Sequence, residues 1–189
     1  MLDRTTLDLL AVALEYPRAE APAATRDVAA ALHGGPLASA LDRLAVWMAE
    51  DGQRAEEHYT RLFDLSPACT LHVGYHLYGE DYQRGAMLAL LRGELRQRGI
   101  DEKNDLPDFL PTLLRLLGRL DDAEDRSLLV GGLVLPALAK MQGSLQEQDD
   151  PYAVVLRELG PVLEAEEIAT LAGAQADAPK PVVRLPCSI

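Results

Sequence analysis

Aromatic residues and cysteines are scarce in this chain of 189 residues. Phe, Trp and Tyr together make up 5% of the sequence, whereas Leu and Ala recur throughout it. That composition is typical of packed helices rather than of sheets. The two cysteines, Cys69 and Cys187, lie far apart and form no CxxC motif. The sequence therefore predicts no disulfide framework and no thiolate metal site, and it suits a reducing compartment.

Basic residues are also in deficit, with 18 Lys and Arg against 30 Asp and Glu and a net charge of -12. Proteins that bind nucleic acids neutralise phosphates with clustered Lys and Arg. The same deficit opposes binding to an anionic membrane surface. We therefore expect no nucleic-acid partner, and we expect any charged partner to be basic.

Long apolar runs and targeting signals are missing as well. The N-terminal stretch "MLDRTTLDLL" contains Asp3 and Asp8, so it lacks the basic start and the unbroken apolar centre of a secretory signal. No segment reaches about 18 uninterrupted apolar residues, the length that spans a bilayer. These features predict a cytoplasmic protein without a membrane span.

Gly and Pro residues divide the chain into segments that repeat apolar residues with the 3.6-residue period of a helix. The length suits one domain. We predict an all-α fold, a single helical bundle of about eight to ten helices over residues 1–163. One long helix is expected to kink or break at Pro136, and the last clear helix is expected to end at Gly160-Pro161. Residues 164–189 are predicted to form a C-terminal tail, acidic at first and then interrupted by prolines.

One stretch concentrates polar and aromatic residues: "LHVGYHLYGEDYQRGAML", residues 71–88. It contains Gly74, Gly79 and Gly85. Glycine inside a helix costs about 1 kcal/mol relative to alanine, so three so close together indicate a close helix approach or a break. We expect the break near Gly79, followed by a long helix over residues 81–98.

Two histidines in this stretch have the spacing of a metal-binding motif. His72 and His76 stand four residues apart, as in HExxH, and Glu80 follows one turn later. The residue after His72 is Val73, however, where HExxH needs the glutamate that acts as general base. We therefore favour histidines that pack or line a groove. A metal-dependent hydrolase built on His72, His76 and Glu80 is retained as an alternative.

An apolar and aromatic stripe runs through the same stretch, at Leu71, Tyr75, Tyr78 and Tyr82. Such a stripe is more often a core face than a binding surface, so we expect it to be buried. The alternative is a binding wall, because tyrosine offers broad apolar contact, a polar tip and few rotamers to lose.

Two charged residues have both a structural and a binding interpretation. Arg84 follows Glu80 and Asp81 at the spacing of a surface ion pair, which supports a helix by about 0.3 to 0.5 kcal/mol. Asp108 precedes Pro111, and we predict that it caps the helix that follows, a contribution of about 1 kcal/mol. In a binding role, Asp108 would present an exposed carboxylate beside a helix N-terminus to a cationic peptide.

Motifs of phosphate-binding and nucleophilic enzymes do not occur in the sequence. There is no P-loop, no GxGxxG and no nucleophile elbow. We therefore expect no enzyme activity, no catalytic residues and no cofactor.

Three motifs in order, "YTRLFDLSP", "LHVGYHLYGEDYQRGAML" and "LPDFLP", resemble the signature series of the NarJ branch of the NarJ/TorD/DmsD family of molybdoenzyme maturation chaperones. The resemblance is close over residues 59–117 and rests on helical pattern elsewhere. The family pattern falls on Tyr59, Leu62, Phe63, Asp64, Leu71, His72, His76, Gly79, Glu80, Arg84, Gly85, Leu106, Pro107, Asp108 and Pro111.

The resemblance implies a cytoplasmic, all-helical, TorD/NarJ-like chaperone that is not an enzyme and holds no permanent cofactor. Its partner would be the apo catalytic subunit of a respiratory molybdoenzyme of the nitrate reductase/DMSO reductase type. It would bind an N-terminal leader, often a twin-arginine signal or its remnant, and hold the subunit until the molybdenum cofactor is inserted. We expect a monomer, with a dimer as the alternative. The alternative function is that of a permanent helical subunit of such an oxidoreductase.

The candidates for contact with the client peptide are His72, Tyr75, His76, Tyr82, Arg84 and Asp108. A second group is expected to hold the fold of the motif: Tyr59, Phe63, Asp64, Gly79, Glu80, Gly85, Leu106, Pro107 and Pro111. We expect the segment 72–108 to form one side of a binding groove. Alanine at His76, Arg84 or Asp108 should then impair client maturation while changing the free energy of unfolding by only about 1 kcal/mol.

Overall fold

The computed structural model of the protein describes residues 2–102, 104–145 and 149–177. These residues form helices α1 (Arg4–Leu14), α2 (Ala21–Ala31), α3 (Pro36–Glu50), α4 (Gly52–Tyr59), α5 (Val73–Tyr78), α6 (Tyr82–Gln97), α7 (Leu110–Leu117), α8 (Ala123–Leu129), α9 (Leu135–Ser144) and α10 (Pro151–Asp177). The predicted all-α fold is confirmed. Among these helices, none has the length and apolar character needed to cross a bilayer.

Aspartate side chains begin several of the helices by accepting hydrogen bonds from free backbone N–H groups of the first turn. Asp3 accepts from the N–H of Thr6 at 2.7 Å, and Asp51 accepts from that of Arg54 at 3.0 Å. The same role belongs to Asp81 at α6, Asp122 at α8 and Asp150 at α10. The acidic composition is therefore used in part to fix where helices start.

The core lies where α1, α2, α3, α7 and α10 pack against one another. It is built mainly from leucine and alanine, together with valine, methionine and one cluster of aromatic rings. In that cluster Tyr59 lies 4.9 Å from Phe63 and 5.6 Å from Tyr152 between ring centroids. The hydroxyl of Tyr59 donates to the carbonyl oxygen of Leu14 at 3.0 Å, so its polar tip is satisfied inside the core.

The helix that was expected to kink or break at Pro136 is interrupted just before that residue. A π-helical turn, Val130–Val134, separates α8 from α9, and Pro136 sits in the first turn of α9. Proline has no N–H, so the regular series of backbone hydrogen bonds cannot continue through this position. The predicted interruption is confirmed.

Helix α10 does not end at Gly160-Pro161, and the predicted stop was wrong. It continues through Pro161 to Asp177. Proline inside a helix costs about 3 kcal/mol. Leu159 and Leu163 flank it and are fully buried, and each buried leucine contributes roughly 1.5 to 3 kcal/mol. Burial on both sides of the proline therefore outweighs its cost.

Residues 164–177, the first part of the predicted tail, continue this helix and contact the bundle. Glu166 accepts a hydrogen bond from the N–H of Leu2 at 2.7 Å, and Glu167 accepts one from the hydroxyl of Ser127 at 2.8 Å. The predicted division of the chain after residue 163 remains a prediction. Residues 178–189, with the prolines of the predicted tail, lie outside the described residues.

Candidate functional site

The carboxylate of Asp108 is the centre of a buried cluster of polar groups. It is 0% exposed. Its Oδ2 accepts from the N–H of Gly74 at 3.1 Å and from Nε and Nη2 of Arg84, each at 3.0 Å. Its Oδ1 accepts from Nδ1 of His72 at 3.1 Å. The motif of residues 71–88 and the motif "LPDFLP" therefore meet at the Asp108 side chain. Each group that contacts this carboxylate donates a hydrogen bond to it.

Backbone hydrogen bonds join the same two motifs. His72 and Phe109 form an isolated antiparallel bridge. On either side of it, the N–H of Val73 donates to the carbonyl of Asp108 and the N–H of Leu110 donates to that of Leu71, both at 2.9 Å. The chain is therefore extended at the bridge, immediately before α5 and before α7.

Asp108 does not cap α7, because the helix begins at Leu110, and that prediction was wrong. The N-cap residue of α7 is Phe109, without a side-chain hydrogen bond. Asp108 instead supplies the acceptor for Gly74, the second residue of α5, across 34 positions of sequence. The expectation of an exposed carboxylate was also wrong, because the side chain is fully buried.

The three glycines of the motif have three different environments. A Cβ on Gly74 would overlap Met87 Cε and lie 2.7 Å from Asp108 Oδ2, so the buried carboxylate approaches the helix only where no side chain stands. Gly79 has φ 60° and ψ -134° and ends α5, which confirms the predicted break. Gly85 faces open space. The first two glycines are therefore required by packing and by backbone conformation.

Arg84 turns inward to Asp108 rather than pairing with Glu80 or Asp81, and the predicted surface pair was wrong. Helix α6 begins only at Tyr82, so Glu80 lies outside it, and the Asp81 side chain caps α6 by accepting from the N–H of Gln83. The Arg84 side chain is 16% exposed. An ion pair with a buried carboxylate is screened less by water than a surface pair.

Burial raises the pKa of Asp108, but hydrogen bonding and charge from His72, together with the charge of Arg84, lower it by more. The net pKa lies below the ordinary value for aspartate, so the group is ionised at neutral pH. Removing it would leave the Arg84 guanidinium and the Gly74 N–H buried without their partner. Breaking a buried pair in this way costs about 3 to 5 kcal/mol. For Asp108, the expectation that alanine changes the free energy of unfolding by only about 1 kcal/mol is therefore corrected to this larger cost.

The two histidines do not share a helical face. His72 has extended backbone and precedes α5, where it binds Asp108. His76 lies within α5, and its Nε2 donates to the carbonyl of Thr70 at 2.6 Å. Within residues 2–102, 104–145 and 149–177, no three His, Cys, Asp or Glu side chains are placed to hold a metal ion. The geometry gives no support to the hydrolase alternative.

Of the predicted buried stripe, Leu71 is buried as expected, just before α5. The stripe does not continue to Tyr82, because the break at Gly79 places Tyr75 and Tyr78 on α5 and Tyr82 on α6. Tyr75 lies beneath the Arg84 guanidinium, 5.7 Å from ring centroid to Cζ. Tyr78 is partly buried against the core. Tyr82 begins α6 and is 90% exposed. Of the stripe, only Tyr82 is freely available to a partner.

An open apolar groove of about 760 Å³ runs between α6 and α8. Its apolar lining is Tyr78, Tyr82, Met87, Leu90, Leu91, Leu116, Leu120, Leu128, Leu129 and Leu133. Leu90 is 74% exposed and Leu128 is 63% exposed, on opposite walls. The charged residues of the lining are Glu94 and Asp125, both acidic. Contiguous exposed apolar surface of this kind marks a site for another apolar surface.

The buried cluster lies behind one wall of this groove. Arg84 binds Asp108 from the first turn of α6, and Met87, one turn later on the same helix, reaches both the groove and Gly74. The Asp108 cluster therefore fixes α6 against α5, and the other flank of α6 faces the groove. Segment 72–108, predicted to form one side of a groove, contributes its α6 residues to this wall.

A second, polar cleft of about 580 Å³ contains other residues of the motif series. Phe63, Asp64 and His72 line it, together with Tyr16 and Asp105. Of the remaining predicted scaffold residues, Pro107 and Pro111 are buried, Leu106 and Glu80 are exposed, and Pro111 stands in the first turn of α7. The motif residues thus lie in the core, in the buried Asp108 cluster, in the apolar groove and in the polar cleft.

Three groove residues that the sequence did not single out are Leu90, Leu128 and Leu133. Leu90 lies off the buried stripe of α6 that contains Leu91 and Leu95. A leucine on the polar face of a helix is a weak signal by itself, because single exposed leucines are common. Only the placement of α6 opposite α8 in the folded bundle brings these residues together as one surface.

These features define the class of the protein: an all-α helical bundle with an open apolar groove backed by a buried ionic cluster. The chain belongs to the family described as "Nitrate reductase delta subunit", whose sequence profile matches residues 22–158. The groove and the Asp108 cluster both lie within the matched residues.

Two relatives illustrate the similarity. The chain is 34% identical over 104 residues to "Nitrate reductase molybdenum cofactor assembly chaperone NarJ" of Escherichia coli strain K12, which covers 53% of this chain and 42% of that protein. It is 28% identical over 144 residues to "Nitrate reductase-like protein NarX" of Mycobacterium tuberculosis strain H37Rv, which covers 75% of this chain and 22% of that protein. The chain thus spans less than half the length of these relatives.

Proposed function

We propose that this protein is a chaperone that binds the apo catalytic subunit of a molybdenum-containing nitrate reductase and holds it until the molybdenum cofactor is inserted. Family membership and the similarity to the Escherichia coli assembly chaperone support this proposal. The observation that carries it is the open groove between α6 and α8, which offers an apolar surface to a partner segment. The protein acts in the cytoplasm, as a monomer, and catalyses no reaction itself.

Recognition in the groove follows from its shape and chemistry. Leu90 of α6 and Leu128 of α8 are exposed residues of a mostly apolar lining, an arrangement that receives the apolar face of a short peptide segment. Glu94 and Asp125 add negative charge at the groove, in a chain of net charge -12. An N-terminal leader with basic residues beside an apolar stretch complements both features.

The predicted client-binding residues take different roles in this proposal. Tyr82, at the exposed start of α6, contacts the client segment directly. Asp108 and Arg84 are positioning residues, because their pairing holds α6 against α5 behind the groove wall. His72 and Tyr75 complete that cluster. His76 ties α5 to Thr70, and its own carbonyl accepts from Lys140 at 2.7 Å.

Release of the client distinguishes a chaperone from a permanent subunit. Tagged protein is mixed with apo catalytic subunit, and the complex is followed by gel filtration before and after loading with the molybdenum cofactor. We expect co-elution with the apo subunit and separation from the loaded one. Co-elution with both forms would make the protein a permanent subunit, and co-elution with neither would contradict the proposal.

A matched pair of variants tests whether the groove carries the binding. Leu90→Asp places a charge in the groove, and Val46→Asp places the same charge on an exposed apolar position of α3, which is 51% exposed and outside the groove lining. We expect the first variant to lose the apo subunit in the same gel-filtration experiment and the second to retain it. Equal retention of the apo subunit by the two variants would show that the client binds outside the groove.

A further inference from the structure

Helix α6 carries an exposed apolar surface, here called the α6 face, in addition to the stripe that it buries in the core. Tyr82 is 90% exposed and Leu90 is 74% exposed, and Ala86 and Ala89 are exposed as well. Residues three or four positions apart lie on the same side of a helix, so these side chains form one continuous surface. Tyr82, Ala86 and Leu90 also line the apolar groove. The α6 face and the groove are therefore parts of one apolar area.

Charged residues of opposite sign stand at the two ends of the α6 face. Glu80 and Asp81 are exposed immediately before the helix, and Arg96 is exposed in its last turn. Arg96 follows Tyr82 by 14 positions, which is close to four turns of helix, so both residues lie on the same side. The α6 face thus has an acidic end, an apolar centre and a basic end. A surface with this order is complementary to a second copy of itself turned end to end.

The spacing of these residues matches an antiparallel pair of α6 helices. Tyr82 and Arg96 each stand seven positions from Ala89. A twofold axis at Ala89 therefore brings Arg96 of one copy opposite Tyr82 of a second copy. Glu80 and Asp81 of the second copy then approach the same guanidinium, which also meets the tyrosine ring. Each of these contacts occurs twice, because the axis relates the two copies.

A parallel pair of α6 helices would bring like charges together. It would place Arg96 beside Arg96 and the groove residue Glu94 beside Glu94. In the antiparallel pair Glu94 comes opposite positions 84 and 85 instead, where no acid stands. Antiparallel packing also places the negative end of each helix dipole beside the positive end of the other. The charges of α6 therefore select the antiparallel arrangement.

We propose that two copies of this chain associate reversibly through the α6 face, as an antiparallel dimer in which Leu90 of each copy enters the apolar groove of the other. One helix face of about 24 Å by 10 Å is smaller than the roughly 800 Å² that each partner buries in a stable complex. The net charge of -12 on each copy also opposes association, although physiological salt screens charges more than about 8 Å apart. Both features make the dimer weak, so the monomer predominates in dilute solution.

The dimer and the client complex use the same residues. A client segment in the groove contacts Tyr82 and Leu90, and both side chains are covered in the dimer. Pairing therefore shields the apolar area when no client is present, and client binding shifts the equilibrium toward the monomer. This competition rests on the proposed function, whereas the pairing itself does not.

Sedimentation velocity of the full chain between about 10 and 500 µM, in physiological salt, measures the pairing. We expect the sedimentation coefficient of the wild type to rise with concentration. Arg96→Glu places an acid opposite Glu80 and Asp81 at both ends of the dimer, so association should weaken about tenfold or more. Adding Glu80→Arg to this variant restores opposite charges and should recover most of the loss. No rise in the wild type, or no recovery in the double variant, would overturn the proposal.

A cysteine at the twofold axis tests the orientation of the pair. Ala89→Cys is compared with Val46→Cys on α3, both in a background that carries Cys69→Ala and Cys187→Ser. A disulfide requires two Cα atoms within about 7 Å, and residue 89 meets its own counterpart only in the antiparallel dimer. Under mild oxidation we expect a disulfide between chains to form about tenfold faster or more at position 89 than at position 46. Equal rates would overturn the proposal, and circular dichroism checks that each variant is folded.

The client's N-terminal segment separates this inference from the proposed function. Because the segment and the second copy compete for the α6 face, its addition should return the wild type to the sedimentation coefficient of the monomer. A dimer that persists with the segment bound would contradict the shared surface. If the segment does not bind at all, the chaperone proposal fails, and the sedimentation and disulfide experiments still decide the pairing.

Discussion

Replacing Asp108 by asparagine removes one charge from the buried cluster and leaves its shape. The carboxylate has two acceptor oxygens and meets donors from Gly74, Arg84 and His72. An asparagine side chain has one acceptor oxygen and one NH2 group. With its oxygen toward Arg84 and Gly74, its NH2 group faces Nδ1 of His72, so that two hydrogen-bond donors oppose each other. The Arg84 guanidinium keeps one hydrogen-bond acceptor and loses its counter-charge.

The expected loss in the free energy of unfolding follows from these changes. A hydrogen bond to a charged group contributes about 1.5 to 3 kcal/mol, and an unpaired buried charge costs about 3 to 5 kcal/mol. Because the substitution keeps one acceptor, we expect Asp108→Asn to lower the free energy of unfolding by about 2 to 4 kcal/mol. That is a large share of the roughly 5 to 15 kcal/mol that stabilises an ordinary domain.

Urea titration followed by helical circular dichroism at pH 7 measures this cost. Asp122→Asn is the matched control, because Asp122 caps α8 from an exposed position and asparagine caps about equally well. We expect the control to change stability by less than about 0.5 kcal/mol. A double-mutant cycle with Arg84→Met should give a coupling of at least about 1.5 kcal/mol. If Asp108→Asn costs no more than Asp122→Asn, the buried cluster does not hold α5 and α6 together.

The same pair of proteins has a defined pH dependence. The folded-state pKa of Asp108 is lowered, so its stabilising contribution is present above the unfolded pKa of about 3.9 and is lost as pH falls through the folded value. The stability difference between wild type and Asp108→Asn should therefore be constant above about pH 5 and shrink below about pH 4. A difference that grows on acidification would contradict an ionised Asp108.

Two further predictions use matched positions in the same motif. Gly74→Ala should lower the free energy of unfolding by about 1 to 3 kcal/mol, because its Cβ would overlap Met87 and crowd Asp108. Gly85→Ala, in open space on α6, should be neutral or stabilising by about 1 kcal/mol. Equal effects of the two variants in urea titration would refute the close approach at Gly74. Burial, with the charge of Lys140, lowers the pKa of His76 despite its hydrogen bond to Thr70. As pH falls, His76 is therefore protonated in the unfolded chain before it is protonated in the folded one. The free energy of unfolding should decrease below about pH 6.5, less steeply in His76→Gln than in wild type. Identical slopes of unfolding free energy against pH for the two proteins between about pH 7.5 and 5.5 would contradict this assignment.

Features that depend on nearby residues were predictable from the sequence. The break at Gly79 and the start of α6 after Asp81 follow from local glycine and capping chemistry. Asp108 was identified as a key residue, but its environment was not predictable, because its partners Gly74 and Arg84 lie 34 and 24 positions away. Sequence spacing suggested nearby partners for Asp108 and Arg84, whereas in the folded chain their partners are distant in sequence.

The remaining errors have the same physical origin. Pro161 ends an isolated helix, yet α10 continues because the flanking leucines are buried by other helices. Leu90 and Leu128 belong to helices that the sequence predicts, but their exposure is a property of how α6 and α8 are placed. Periodicity identifies which residues can be buried, and only the assembled bundle determines which apolar residues remain open to a partner.

The central claim is that the groove between α6 and α8 recognises an N-terminal segment of a nitrate reductase catalytic subunit. Calorimetric titration of that segment into wild type, Leu90→Asp and Val46→Asp tests it directly. We predict that Leu90→Asp weakens binding about tenfold or more and Val46→Asp leaves it unchanged. Wild-type affinity should also decrease as salt rises, since a basic segment meets a chain of net charge -12. Equal affinity of all three proteins would contradict the account.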